Sequence, residues 1–439
     1  MISKKARKNI RKRKYEFNKY KKIMKYLSKK RRKTKIHKEY NNVTKTGKYT
    51  YNKVMEFLKM KKFSYKTKKG GKKKTLKIPK VFCFSRNPDE TINKIKILAG
   101  YLVNKTTEEI FIDHTECEQL GMCASLVMDA IITEALKVRH RPIHINGKLS
   151  EKSEYVNDIL RESGIVKHLG FKSTKKNNIK VLEWIVNGES DKVREKVSEY
   201  FESCLKTQKL MLKPEGFNLL AEMIGEVVLN CRDHGGKYAT WYTAGHYNLY
   251  KDESYGEFHL VIFNFGQTIY EGLKSKETSE EMKENLNNIT KKHIGFFKGN
   301  WDEETLWTLY ALQSGVSRFK TRIKRSEDTR YTPTRGTGTI RLINDFQEIG
   351  TYNHNEKPIM SITSGNAHIY FDGKYRLKEE TLYNDTKADI IAFNKENDLN
   401  IPPNKEYVHR IKEYFPGTII SMKFYINREK YIEEDKNEK

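Results

Sequence analysis

No two of the chain's five cysteines stand at redox or metal-ligand spacing: Cys83, Cys117, Cys123, Cys204 and Cys231 form no CxxC. A disulfide framework is therefore not expected, and reduced thiols point to a cytoplasmic protein. Proline is scarce, with 9 in 439 residues. No apolar run approaches the ~20 residues that cross a bilayer, and no apolar stretch follows the basic N-terminus, so neither a membrane span nor a secretory signal is expected. Acidic residues are almost missing from one region alone. Residues 1–80 hold 33 Lys+Arg against 3 Asp+Glu, whereas the remainder holds 52 against 53. The net charge of +29 thus belongs to an arm, and the body is close to neutral.

The arm interleaves its charge with Tyr15, Phe17, Tyr20, Tyr26, Tyr40, Tyr49 and Tyr51. Tyr20, Ile23, Met24 and Leu27 share one helical face, so a short basic amphipathic helix is expected. Lys66 to Lys80, with Gly70-Gly71 inside it, reads as a flexible cationic linker. Lysine and arginine release counterions from phosphate, and aromatic rings stack on unpaired bases. Non-specific nucleic-acid contact through residues 1–80 is the expectation. A solvated tail and an acidic membrane surface are the alternatives.

From Lys80 onward the pattern alternates strand and helix, which predicts βα units on a partly parallel sheet over residues 81–205. Strands are expected at Glu109–Asp113 and Pro142–Asn146, the second ended by Gly147. Helices are expected at Met122–Val138 and Tyr155–Ser163, with a helix start at Asn87-Pro88-Asp89. With Leu160–Gly170 this order resembles STAS-like domains, in which a Ser or Thr can accept phosphate. Thr115 and Ser125 are the nearest hydroxyls here, and a structural or dimerising domain is the alternative. His114, His140 and His144 are too scattered to suggest a metal site.

The segment Gly216–Gly236 is a helix with one buried apolar face, Leu219, Leu220, Met223, Ile224, Val227 and Val228. Glu222, Glu226 and Asn230 recur at four-residue steps on another face. An amide oxygen can join Mg²⁺ without repelling a triphosphate, and a carboxylate one turn earlier can take a proton from water. Farther on, Phe258–Phe263 reads as a buried strand that Asn264-Phe265-Gly266 ends in a turn. Thr332–Phe346 places Gly336 and Gly338 before a helix start, where backbone N–H groups suit polyphosphate. Phe415–Ile426 reads as a strand opened by Gly417-Thr418.

In this order the four segments resemble the ATP-binding module of the histidine kinase, gyrase and heat-shock ATPase (GHKL) family. The resemblance implies an α+β chain: a two-layer α/β sandwich of the GHKL type over residues 206–430, preceded by the smaller STAS-like domain and the basic arm, with residues 431–439 a charged tail. It implies ATP and Mg²⁺ as ligands. Asn230 would hold the metal, Glu226 would polarise the attacking water, and His234 completes the spacing. Asn264, Gly266 and Thr268 fall on the adenine-reading segment, where the family has Asp at the first position and Gly at the third. Arg335, Gly336, Thr337 and Gly338 fall on the phosphate loop, Ser317–Thr334 on the mobile lid, and Thr418 on the closing strand. An ATPase switch in bacterial signalling or phage defence is the expected function, with dimerisation expected from the family. The alternatives are a protein kinase of the anti-sigma or two-component type, acting on Ser or His, and a nucleic-acid-binding scaffold with a degenerate nucleotide site.

Overall fold

A computed structural model describes residues 54–59, 72–138, 142–163, 165–169, 179–186, 190–234, 240–249, 256–296, 301–314, 316, 338–351, 357–381 and 387–434. The chain is α+β, with several sheets and helices on both sides of the largest. The basic helix expected around Tyr20–Leu27 lies outside the described residues.

The N-terminal unit begins with helix α1 (Val54–Lys59). Then come β1 (Lys73–Lys77), β2 (Val81–Phe82), α2 (Pro88–Val103), β3 (Glu109–Asp113), β4 (Gln119–Leu120), α3 (Met122–Val138), β5 (His144–Lys148), α4 (Glu154–Glu162) and α5 (Val166–Leu169). Strands β1, β3 and β5 form a parallel sheet in that spatial order. Three expectations change here. The cationic linker is partly ordered, because Lys73–Lys77 pairs along β3 and its lysines meet acids on the rim: Lys72–Glu108 at 2.8 Å and Lys73–Glu109 at 2.7 Å. Val54, Phe57 and Leu58, inside the nominal arm, are buried in the core. β5 starts two residues late and runs through Gly147, since its pairing with β3 continues to Lys148. Of the two hydroxyls considered as phosphoacceptors, Ser125 is buried with its Oγ 2.6 Å from Ser163 Oγ, and Thr115 Oγ1 donates to Asp113 Oδ1 at 2.6 Å.

The second unit starts earlier than residue 206. It comprises β6 (Ile179–Val186), α6 (Ser190–Lys206), β7 (Leu210–Leu212), α7 (Pro214–His234), β8 (Thr240–Asn248), β9 (Glu257–Phe265), α8 (Ile269–Lys274), α9 (Glu280–Phe296), α10 (Glu303–Tyr310), α11 (Gly338–Ile349) and β10 (Gly350–Thr351). It ends with β11 (Ile359–Phe371), β12 (Lys378–Thr381), β13 (Lys387–Ile390), β14 (Val408–Ile426), α12 (Arg428–Tyr431) and β15 (Ile432–Glu434). The central sheet is antiparallel, ordered β10-β14-β9-β8-β6 with β11 also on β14. β6 therefore belongs to this sheet and α6 packs on α7, although both fall within the span read as the middle domain.

Both faces of this sheet are buried, which explains why β9 is apolar on both faces from Leu260 to Phe263. Phe258, Leu260 and Ile262 join a core with α6, α7 and α11. Val261, Phe263 and Phe265, offset by one residue, join the core of the N-terminal unit with Tyr242, Ala244, Phe415 and Ile419. Polar ties seal that junction. Asp89, in the first turn of α2, accepts from the backbone N–H of Lys412 at 2.6 Å and of Glu413 at 3.0 Å, and the Lys96 ammonium pairs with Glu413. The central sheet thus has helices α6, α7 and α11 on one face and the N-terminal unit on the other.

Candidate functional site

Helix α7 starts on Pro214, where a missing N–H costs nothing, and turns its apolar residues into the core. That fixes the opposite faces. Glu222 is exposed, and Glu226 and Asn230 are half-buried. Against them sits the N-terminus of α11. A Cβ added to Gly338 would stand 2.5 Å from Glu226 Oε2 and 3.6 Å from Asn230 Oδ1. A side chain there would make the Glu226 carboxylate turn aside, so the α11 backbone lies close against two residues more than 100 positions away in the chain. Arg341, one turn farther along, holds Nη1 3.9 Å from Glu226 Oε1. With the guanidinium half exposed, that pair adds little stability.

The second part of the site is built across the sheet. Asn264 lies inside β9, which continues to Phe265, and does not end the strand. Its buried amide accepts from Thr418 N–H at 3.0 Å and donates to the Cys231 carbonyl at 3.4 Å. Cys231 follows Asn230 on α7, so the amide ties α7 to β14. Burial pushes the Cys231 thiol up to about 12, which leaves it inert. Gly417 lies mid-strand, because β14 begins nine residues earlier at Val408. Its φ of +150° and its position against the Asn264 carbonyl exclude a side chain there.

Sequence reasoning missed Ser364. Its hydroxyl donates to the Gly417 carbonyl at 3.2 Å, lies 2.9 Å from Thr418 Oγ1, and accepts from Ile269 N–H at 2.9 Å. The signal was faint: a small hydroxyl before Gly365 in a strand, at the register shift opposite β14. Gly266 is held by its N–H on the Pro416 carbonyl at 3.1 Å. Thr268 has a local role as the N-cap of α8, in a capping box with Glu271. The Thr268 hydroxyl caps a helix that begins at the next residue.

Asp345 was also missed. It lies one turn beyond Arg341 on α11 and is buried, and among the described residues its Oδ2 has no hydrogen-bond partner. Burial first, then the charge of Glu222, pushes its carboxyl up to about 7. His234 is the last residue of α7, but its side chain lies outside the described residues, as do Arg335, Gly336, Thr337 and the expected lid. Among the described residues no group of three or more His, Cys, Asp or Glu could hold a metal ion. A divalent cation at Asn230 would therefore depend on phosphate and water oxygens for most of its shell.

Comparison of the chain with protein-family models, curated proteins and solved structures finds no match. No helix among the described residues is long and apolar enough to cross a membrane.

Proposed function

We propose that the chain binds Mg²⁺–ATP in the manner of the GHKL family and hydrolyses it, with Asn230 on the metal and Glu226 as the base. One observation carries the reading. Four segments spread over nearly 200 residues meet at the C-terminal end of α7: Glu226 and Asn230 against Gly338, and Asn264 joined to Thr418 and to the Cys231 carbonyl. An ordinary amphipathic helix has no reason to meet a glycine-opened helix on its polar face. In the proposed step a water oxygen attacks the γ-phosphorus and its proton passes to Glu226. The bond to the β-phosphate oxygen breaks, with the electron pair leaving on ADP.

Asn264 would read the adenine amino group with the lone pair on Oδ1 that Thr418 does not use. A carboxamide brings no charge, so base selectivity should be modest. The test is nucleotide binding and phosphate release by wild type, Asn230→Ala and Glu226→Ala. The first variant should lose Mg-dependent binding, and the second should bind but not turn over. Unchanged affinity in Asn230→Ala sinks the assignment. Label from γ-phosphate appearing on protein, with no free phosphate, would make the chain a kinase.

The cationic arm is read as a non-specific nucleic-acid contact. Residues 1–53, ahead of α1, hold 22 Lys+Arg against 2 Asp+Glu, enough charge to track phosphates without base readout. Retention on nucleic acid should fall steeply with salt.

A further inference from the structure

Helix α11 runs antiparallel along the polar face of α7. Gly338 abuts Glu226 and Asn230, Arg341 faces Glu226, and Asp345 feels the charges of both Glu222 and Glu226. Positions 338, 341 and 345 follow the i, i+3, i+7 spacing of a single helical face. Asp345 is only 5% exposed, and its Oδ2 has no partner among the described residues. A buried carboxyl oxygen without a hydrogen bond is a cost to folding, and a hydrophobic residue of similar volume would remove it. Its placement therefore calls for a reason other than stability.

We propose that Asp345 is a positioning residue for Glu226: by gaining or losing its own proton it sets, through charge, how readily Glu226 takes the proton of the attacking water. The proposal rests on the reading of Glu226 as base. The groups acting on Asp345 are Glu222 and Glu226 from α7 and Arg341 from its own helix, with Asn344 as a hydrogen-bond partner. The carboxyl is pushed up to about 7, first by burial and then by Glu222. Below that pH Asp345 is neutral and leaves Glu226 a weak base. Above it a second negative charge raises the proton affinity of Glu226 and speeds proton abstraction. The proton taken from water then passes to solvent, so no further reactant is needed.

The test measures ATP affinity and steady-state turnover from about pH 6 to 8 for the full chain and for two variants. In wild type, kcat should rise through a limb centred near 7. In Asp345→Asn, which keeps the shape and cannot ionise, that limb should vanish while KM for Mg–ATP stays within about twofold. Glu222→Gln, an exposed change that cannot disrupt the core, should move the limb to lower pH by relieving the repulsion on Asp345. A limb that persists unmoved in both variants overturns the role of Asp345 and leaves the site reading intact. If Asp345→Asn does not fold, the Glu222→Gln shift decides alone. Wild type that binds ATP without turnover also overturns the role. Wild type that does not bind ATP removes the site reading and the inference with it.

Discussion

The two faces of the central sheet are both buried, yet they end differently. Toward the N-terminal unit, β9 presents Val261, Phe263 and Phe265, and the face closes on rings: Phe265 with Phe415 at 5.4 Å, and both with Phe57 at 6.0 and 6.2 Å. Toward the helices it presents Phe258, Leu260 and Ile262, then Asn264, which accepts from Thr418 N–H, and Thr418 in turn lies beside Ser364. The same alternation thus ends in ring packing on one side and in a buried hydrogen-bonded tie on the other. Burial alone does not mark function. Buried polar groups lie on both faces: Asn264 on the helix side and, toward the N-terminal unit, His246, whose ring lies 3.3 Å from Tyr155 Oη.

The sharpest way to break the comparison is Phe415→Ala. It removes a ring that packs against Phe57, Phe84 and Phe265, and should cost about 3–5 kcal/mol in denaturant melts. If nucleotide affinity in the folded fraction is kept, the two faces are energetically separate.

Asp345→Asn should act in the opposite direction, through pH. The folded-state carboxyl is raised from its ordinary 3.8 to about 7, so the folded state holds the extra proton across that window. The stability of wild type therefore declines from this source as pH rises between those values and then levels off. The variant escapes the decline. It should match wild type below about pH 4 and exceed it above pH 7, by at most about 4 kcal/mol. Paired melts at low and neutral pH check the sign.

Gly338→Ala places a methyl against the Glu226 carboxylate. The carboxylate ends a flexible side chain and can turn aside, so stability should change by no more than about 1 kcal/mol, with turnover falling more than ATP affinity, as single-turnover kinetics would show.

The smallest effect on stability should come from trimming the arm at its structural border. Removing residues 1–53 should change stability by less than about 0.5 kcal/mol and abolish low-salt retention on nucleic acid. Removing residues 1–59 also deletes the buried Val54, Phe57 and Leu58 and should unsettle the ring cluster. Equal melts for the two truncations would show that α1 adds nothing to the junction.

Much of the local structure was legible. Glu109–Asp113 and Met122–Val138 have the bounds read from their patterns, because alternation and helical spacing are properties of neighbouring residues. The misreadings share one cause. β1 hid in a lysine-rich run because an edge strand needs only one buried side chain, Leu76, when its neighbour supplies the hydrogen bonds. Phe57 fell within the span read as a basic arm because its partners, Phe265 and Phe415, lie more than 200 residues away. The site divides in the same way: Glu226 and Asn230 announce themselves by helical spacing, whereas Ser364 and Asp345 carry no local pattern.

The sequence by itself determined the charge division, the alternating elements and the polar face of α7, since each follows from composition or from residues within two turns. Only the tertiary structure decided that α11 lies on that face, that Asn264 bridges Cys231 and Thr418, and that the N-terminal unit covers the far side of the sheet. Those are contacts between distant segments. They are fixed by which surfaces exclude water together, and this is a property of the packed chain that no single stretch of it contains.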